Sequence, residues 1–430
     1  MELSADLAVV QTSAEQALRV VGDNMRVFVG SGASVPNVLV RALADRTKAL
    51  RNVEVCELLT LGEAPYLTRE YEGRVRHNAF FIGSNARQAV GEGRADFTPV
   101  FVSEIARLLR GPLPIDVALV QLSLPDAHGY CSLGVSVDIV KPAIDVARIV
   151  IAEINPRMPR THGDSFVHVS HLDHAVMVDH PIATYDPEPL TECAAAIGRH
   201  VASLVRDGDT LQLGIGAIPN AVLGALSGHR DLGIHTEMFS DGVVNLVNIG
   251  VITNAKKTLH RGKLVTSFVM GSRALYDFVD DNPSLEMRPS HYVNDPFIIA
   301  KNNNMVAVNS ALSVDLTGQV CADSIGSTFY SGVGGQVDFC RGAARSENGR
   351  PIIALPSTAK NGTVSRIVTE LAPGAGVTTS RNDVHFVVTE FGVADLYGKT
   401  IRERVRALVA IAHPNFRERL AAEAHERLWD

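Results

Sequence analysis

Chemistry in this sequence could concentrate in three glycine-rich segments, one acidic stretch and one run of histidines. In the first glycine segment, Val27-Phe28-Val29 leads into Gly30-Ser31-Gly32-Ala33-Ser34-Val35-Pro36-Asn37. In the second, Leu211-Gln212-Leu213 leads into Gly214-Ile215-Gly216-Ala217-Ile218-Pro219-Asn220. A strand that ends in Gly-x-Gly and opens a helix lets a ligand approach the backbone and presents unpaired N–H groups to negative charge. The dinucleotide fingerprint needs a third glycine at the sixth position. That position holds Val35 in one segment and Pro219 in the other, so a nicotinamide site is not expected. For Gly30 and Gly32, a plain strand-to-helix connection and a ligand role stand side by side. The third segment, Gly332-Val333-Gly334-Gly335, is too rich in glycine for a helix or strand interior and reads as a loop of backbone donors.

Glu237 lies in Gly233-Ile234-His235-Thr236-Glu237-Met238-Phe239-Ser240-Asp241-Gly242. Spacing alone does not distinguish it from the other acidic residues, and an isolated glutamate is by default a solvated charge. His235 and Asp241 invite a Ser-His-Asp reading, but no G-x-S-x-G elbow occurs. His168, His171 and His174 form an H-x₂-H-x₂-H run. In a strand the outer two would share a face, and surface or interface histidines are favoured over a metal site. Lys256, Lys257, Arg261 and Lys263 read as a solvated face, with charge for a phosphorylated ligand as the alternative.

The elements that must position these residues repeat. Both Gly-x-Gly turns are preceded by a helical pattern and Gly-Asp, and both are followed by Pro-Asn opening an apolar helix. Deeper in each half, Val117-Ala118-Leu119-Val120 leads through Asp126 to Gly129, as Val306-Ala307-Val308-Asn309 leads through Asp315 to Gly318. Apolar runs alternate with amphipathic helical patterns, which predicts two similar α/β domains. The 430 residues suffice for two cores, and the three prolines of His180 to Pro189 mark a linker. The expected domains are residues 1–184 and 185–430.

A formal net charge of -7 argues against nucleic-acid binding. Five dispersed cysteines without a C-x-x-C pair predict neither a disulfide framework nor a thiolate zinc site. The N-terminal Met-Glu-Leu-Ser-Ala-Asp has no basic or apolar leader character, and no apolar run is long enough to span a bilayer. A cytoplasmic protein without membrane association is expected.

Five segments carry a more specific signal: Gly214 to Asn220, the Glu237 stretch, Gly332 to Phe339, Leu355-Pro356-Ser357-Thr358-Ala359-Lys360-Asn361-Gly362, and Val388-Thr389-Glu390-Phe391-Gly392-Val393-Ala394-Asp395-Leu396. Together they resemble the acetyl-CoA hydrolase/transferase family of class I CoA-transferases, and within it the 4-hydroxybutyrate CoA-transferase group. The resemblance runs from the first glycine turn almost to the C-terminus. It implies two α/β domains of like topology with the active site between them, and a homodimer or larger oligomer. By position, Glu237 matches the glutamate that forms a glutamyl-CoA thioester. Gly214, Ile215, Gly216, Ala217 and Ile218 match a loop along CoA, and Lys360 and Ser331 match CoA contacts. Gly335 and Asn309 match the backbone and amide donors to the reacting carbonyl.

The implied reaction exchanges coenzyme A, as substrate and covalent intermediate, between an acyl-CoA such as acetyl-CoA or succinyl-CoA and a short-chain carboxylate. That acid would be 4-hydroxybutyrate, butyrate or an itaconate-like acid. The resemblance implies no permanently bound cofactor and no metal. An acyl-CoA hydrolase on the same scaffold, or a non-catalytic CoA-binding protein, are the alternatives.

Overall fold

The two apolar runs that end in Gly-x-Gly are strands, and each lies inside a largely parallel sheet, paired on both sides. The computed structural model describes residues 10–186 and 189–429. The N-terminal Met-Glu-Leu-Ser-Ala-Asp and Pro187-Glu188 of the linker stretch lie outside the described residues. The chain divides into two compact units, Met1–Asp186 with Val265–Val293, and Pro187–Leu264 with Asn294–Asp430.

In the first unit the strands are β1 (Arg26–Val29), β2 (Val53–Glu57), β3 (Val75–Ala79), β4 (Ala95–Phe97), β5 (Val117–Leu122), β6 (Ile149–Ile154) and β7 (His174–Met177). They pair in the order β4-β3-β2-β1-β5-β6-β7, all parallel. Every residue of β5 is buried, as the central strand of a doubly covered parallel sheet must be. Helix α1 (Asn37–Thr47) follows the first glycine turn and buries Leu39, Val40, Leu43 and Ala44, a stripe at helical spacing. Its Leu39 N–H donates to the buried Glu153 carboxylate at 2.8 Å.

The second unit contains α2 (Glu192–Ala202), β8 (Thr210–Leu213), α3 (Ala217–Ala225), β9 (Gly233–Ile234), β10 (Met305–Ser310), α4 (Gln336–Arg345), β11 (Arg350–Ala354), β12 (Phe386–Thr389), β13 (Gly392–Asp395), α5 (Ile401–Ile411) and α6 (Pro414–Glu426). Its sheet runs β9-β8-β10-β11-β12-β13, parallel except for the last pair. Helix α5 starts in a Thr400–Glu403 capping box, which satisfies end N–H groups reciprocally.

The repeat read from sequence is a repeat of topology. Val27 pairs with Val117 in the first sheet as Leu211 pairs with Val306 in the second. The matched blocks are thus a pair of neighbouring interior strands in each sheet, in equivalent register. In both sheets the chain winds outward from the central strand on one side and then returns to build the other. The histidine run is not one strand. His168 ends a short strand, His171 closes a 3₁₀ turn and His174 begins β7. His168 Nδ1 lies 2.8 Å from Ser170 Oγ, and its ring meets Tyr130 edge-on. Among the described residues, no helix is long and apolar enough to cross a membrane.

At the first glycine turn, Ser31 Oγ donates to the buried Asp138 at 2.5 Å, and the Ile139 and Val140 N–H groups donate to its other oxygen. Burial outweighs these bonds and pushes the Asp138 carboxyl up to about 6. The fold therefore holds a proton that the unfolded chain releases near pH 4, so this group favours the fold at low pH and costs stability as pH rises towards 6. Asp138→Asn keeps an acceptor for the two N–H groups. Its stability relative to wild type should rise by on the order of 2 kcal/mol between about pH 4 and pH 7. Thermal melts of both proteins across that range check this, and a pH-independent difference would contradict it.

Candidate active site

In the second sheet β8 and β10 are neighbours, yet β8 continues through α3 to β9 on one side while β11 lies on the other. The loops at their carboxyl ends must part, and such switch points are where open α/β sheets hold ligands. The loop after β8 reaches Gly216, whose φ of +109° is open to glycine without strain. Helix α3 then begins at Ala217 without a side-chain cap, which leaves its first N–H groups for the loop it faces.

Glu237 lies just beyond β9 and is half-buried. Its neighbours tie it to β8: the His235 N–H donates to the Leu211 carbonyl at 3.1 Å, and Thr236 Oγ1 lies 2.9 Å from the Leu213 carbonyl. Beneath β9, Lys257 is buried and donates to the carbonyls of Ile234 and Lys263 at 2.6 and 2.7 Å. The solvated-face reading therefore fails for Lys257, whose ammonium is spent on the backbone that carries Glu237. Lys256 and Arg261 are exposed.

The Glu237 carboxylate accepts a hydrogen bond from Asn294 Nδ2. Gly335, at the N-cap of α4, packs against both: a Cβ there would overlap Glu237 Oε2 and come within 2.6 Å of Asn294 Nδ2. The next residue fixes this approach. Gln336 Nε2 donates to the Ser310 carbonyl at 2.6 Å, and Gln336 Oε1 accepts from Thr379 at 3.0 Å. Asn309, on β10, donates to Gln212 Oε1 of β8 at 3.1 Å. Ser331 donates to the Ala322 carbonyl at 3.0 Å.

A cleft of about 800 Å³ runs along the carboxyl edge of this sheet. Its lining comes from the loops after four strands: Ile215, Gly216, Ala217 and Ile218 after β8, Ser310 at the end of β10, Lys360 after β11, and Phe391 after β12. Five of the expected CoA residues thus line one cleft, and Gly214 joins them to β8. Lys360 and Asn361 adopt left-handed backbone at φ +49° and +55° in the turn between Thr358–Ala359 and Val364–Ser365. A lysine in that region carries strain of the kind that clusters at ligand contacts.

Glu390 also lines the cleft, but its carboxylate is engaged by the Ser357 N–H and hydroxyl at 2.8 and 2.6 Å. Burial and the adjacent Glu390 push the Cys193 thiol up to about 11. It faces the cleft as a neutral group, not as a nucleophile. Sequence reasoning gave no role to Asn294, Arg366, Phe391 or His413. Asn294 belongs to no motif, while Phe391 stood in a quoted segment without a signal of its own.

This is a duplicated α/β protein with a carboxylate fixed at the switch point of its second sheet. Sequence models of the acetyl-CoA hydrolase/transferase N-terminal and C-terminal domains match residues 9–185 and 271–424. The chain belongs to the acetyl-CoA hydrolase/transferase family. It is 52% identical over 416 residues to a 4-hydroxybutyrate coenzyme A transferase of Clostridium kluyveri, covering 96% of this chain and 97% of that protein. A succinyl-CoA:acetate/propanoyl-CoA:succinate CoA transferase of Fasciola hepatica is 48% identical, covering 94% of this chain and 86% of that protein. The crystal structure of a 4-hydroxybutyrate CoA-transferase from Porphyromonas gingivalis superposes with a TM-score of 0.85 at 44% identity, covering 98% of each chain.

The missing Cβ at Gly335 has a measurable consequence. Gly335→Ala should push the Glu237 carboxylate aside at a cost of about 1 kcal/mol, the low end for overpacking, because the struck atoms end flexible side chains. In a Glu237→Ala background the same change should cost clearly less, because the carboxylate it strikes is gone. Denaturant melts of the four proteins test this coupling, and equal costs in both backgrounds would show that the two residues do not touch.

Proposed function

We propose that this protein is a CoA-transferase that moves coenzyme A between an acyl-CoA, such as acetyl-CoA or succinyl-CoA, and a short-chain carboxylate, with Glu237 as covalent carrier. The carrying observation is the Glu237 carboxylate itself, held by the neutral Asn294 amide and the Gly335 backbone. A carboxylate so placed keeps lone pairs for attack on a carbonyl carbon.

Each step follows from that arrangement. A Glu237 oxygen attacks the acyl-CoA carbonyl; the C–S bond breaks, giving an acyl-glutamyl anhydride and CoA thiolate. The thiolate attacks the glutamyl carbonyl, the donor acid leaves as carboxylate, and CoA remains as a glutamyl thioester. The acceptor carboxylate then attacks this thioester and the sequence runs backwards, releasing the new acyl-CoA and Glu237. Splitting the exchange in this way gives ping-pong kinetics.

Each attack places negative charge on a carbonyl oxygen. The Gly335 N–H, at the N-terminus of α4, is suited to receive it, with Asn309 as the second donor once its Gln212 partner yields. Asn294 acts as a positioning residue for the nucleophile. The carrier is a side chain, so the exchange calls for no bound cofactor. Five free cysteines suit a reducing, cytoplasmic setting.

The test is to trap the thioester. With acyl-CoA and no acceptor, borohydride should reduce the Glu237 thioester to an alcohol and inactivate the enzyme, whereas free CoA or free acid should not sensitise it. Peptide mass spectrometry should place the change between Gly233 and Gly242. Glu237→Gln should lose both adduct and exchange, since an amide is a far poorer nucleophile than a carboxylate. An adduct elsewhere, or thiol release as fast without acceptor as with it, would overturn the reading.

A further inference from the structure

We infer that Phe391 and His413, at the far end of the cleft, seat the adenine of CoA; this rests on the reading of CoA as substrate. None of the steps above uses either residue. The order of the strands supplies a ruler. Glu237 follows β9, and the cleft residues follow β8, β10, β11 and β12 in spatial sequence. Neighbouring strands lie ~4.8 Å apart, so the end of β12 is roughly 19 Å from the end of β9. CoA has about thirteen bonds between its sulfur and its first phosphorus, or roughly 16 Å at the ~1.2 Å per bond of an extended chain. With the sulfur on Glu237, whose carboxylate meets Gly335 towards the end of β10, that reach carries the pyrophosphate past the end of β11. Lys360 and Arg366 line the cleft with cationic groups in that part of the chain. The nucleoside comes next, at the loop after β12.

The side chains there fit a purine. Phe391 is 38% exposed and lines the cleft. Its ring is fixed edge-on by His413, with centroids 5.3 Å apart and planes at 90°. The Arg417 guanidinium lies 5.5 Å from the Phe391 ring centroid. His413 caps α6, its Nδ1 accepting from the Asn415 N–H at 3.3 Å. With Nδ1 accepting there, the Nε2–H is the ring's donor, of the kind that a purine ring nitrogen accepts. A held aromatic ring beside a donor is a sufficient stacking platform for a base, and removing such a ring weakens binding roughly ten- to a hundredfold.

The experiment compares two thioesters that differ only in the nucleotide, an acyl-CoA and the same acyl group on pantetheine. Phe391→Ala should raise KM for the acyl-CoA by about tenfold or more, against less than about twofold for the acyl-pantetheine. Phe391→Trp should restore the acyl-CoA value. Calorimetry with 3′-phospho-ADP, the nucleotide half of CoA, should show binding to wild type and its loss in Phe391→Ala. Equal rises for both thioesters, or undiminished nucleotide binding in Phe391→Ala, would overturn the seat. Loss of nucleotide binding in the variant, in a protein that shows no exchange at all, would keep the seat and sink only the transferase reading.

Discussion

The second unit is organised around a contact in which one partner has no side chain. Gly335 meets the Glu237 carboxylate at a separation that excludes a Cβ. The approach is made at the N-cap of α4. Gln336 enforces it by bonding the end of β10, and Thr379 holds Gln336 in turn. On the other side, β8 fixes the neighbours of Glu237, and Lys257 fixes the strand that leads to it. The carboxylate is thus met by an amide and by bare backbone, which set its orientation.

The two sheets share a topology but use their switch points differently. In the first unit the crevice at the glycine turn is filled from within. Ser31 bonds Asp138, Gln121 donates to the Val35 carbonyl at 2.9 Å, and Asn155 donates to Gln121 at 2.8 Å. In the second unit the equivalent position is open and continues into a cleft lined by glycine and alanine. Duplication supplied two identical opportunities for a ligand, and the side chains that follow the central strands decided which one stayed available.

Much of the scaffold was legible because strand signals are local. An apolar run ending in Gly-x-Gly marks a buried parallel strand, and the two matched blocks proved to be neighbouring interior strands in register. The glycine loop and Lys360 were legible through the motifs that contain them. Glu237 was not distinguishable by spacing, since nothing local separates it from a surface glutamate. Asn294 gave no signal either, because its role depends on the chain arriving beside Glu237 from a distant segment. Lys257 misled for the opposite reason: charge in sequence suggests solvent, and only tertiary structure supplies the two carbonyls that bury it. The histidine run failed as a pattern because a 3₁₀ turn interrupts its period.

The return of Val265–Val293 to the first unit also bears on how the protein is made. Domains of larger proteins generally fold as units, the N-terminal one first during synthesis. Here the N-terminal unit is incomplete until residue 293 has left the ribosome, by which time Pro187–Leu264 of the second unit has already emerged. The second unit in turn waits for β10, β11 and β12 to complete its sheet. The first unit is complete once residue 293 has emerged, while the second still lacks most of its sheet. The seven strands of the first sheet have all emerged by residue 177, so through its middle third the nascent chain carries a first sheet that still lacks the packing of Val265–Val293, beside a second sheet of which only β8 and β9 are out.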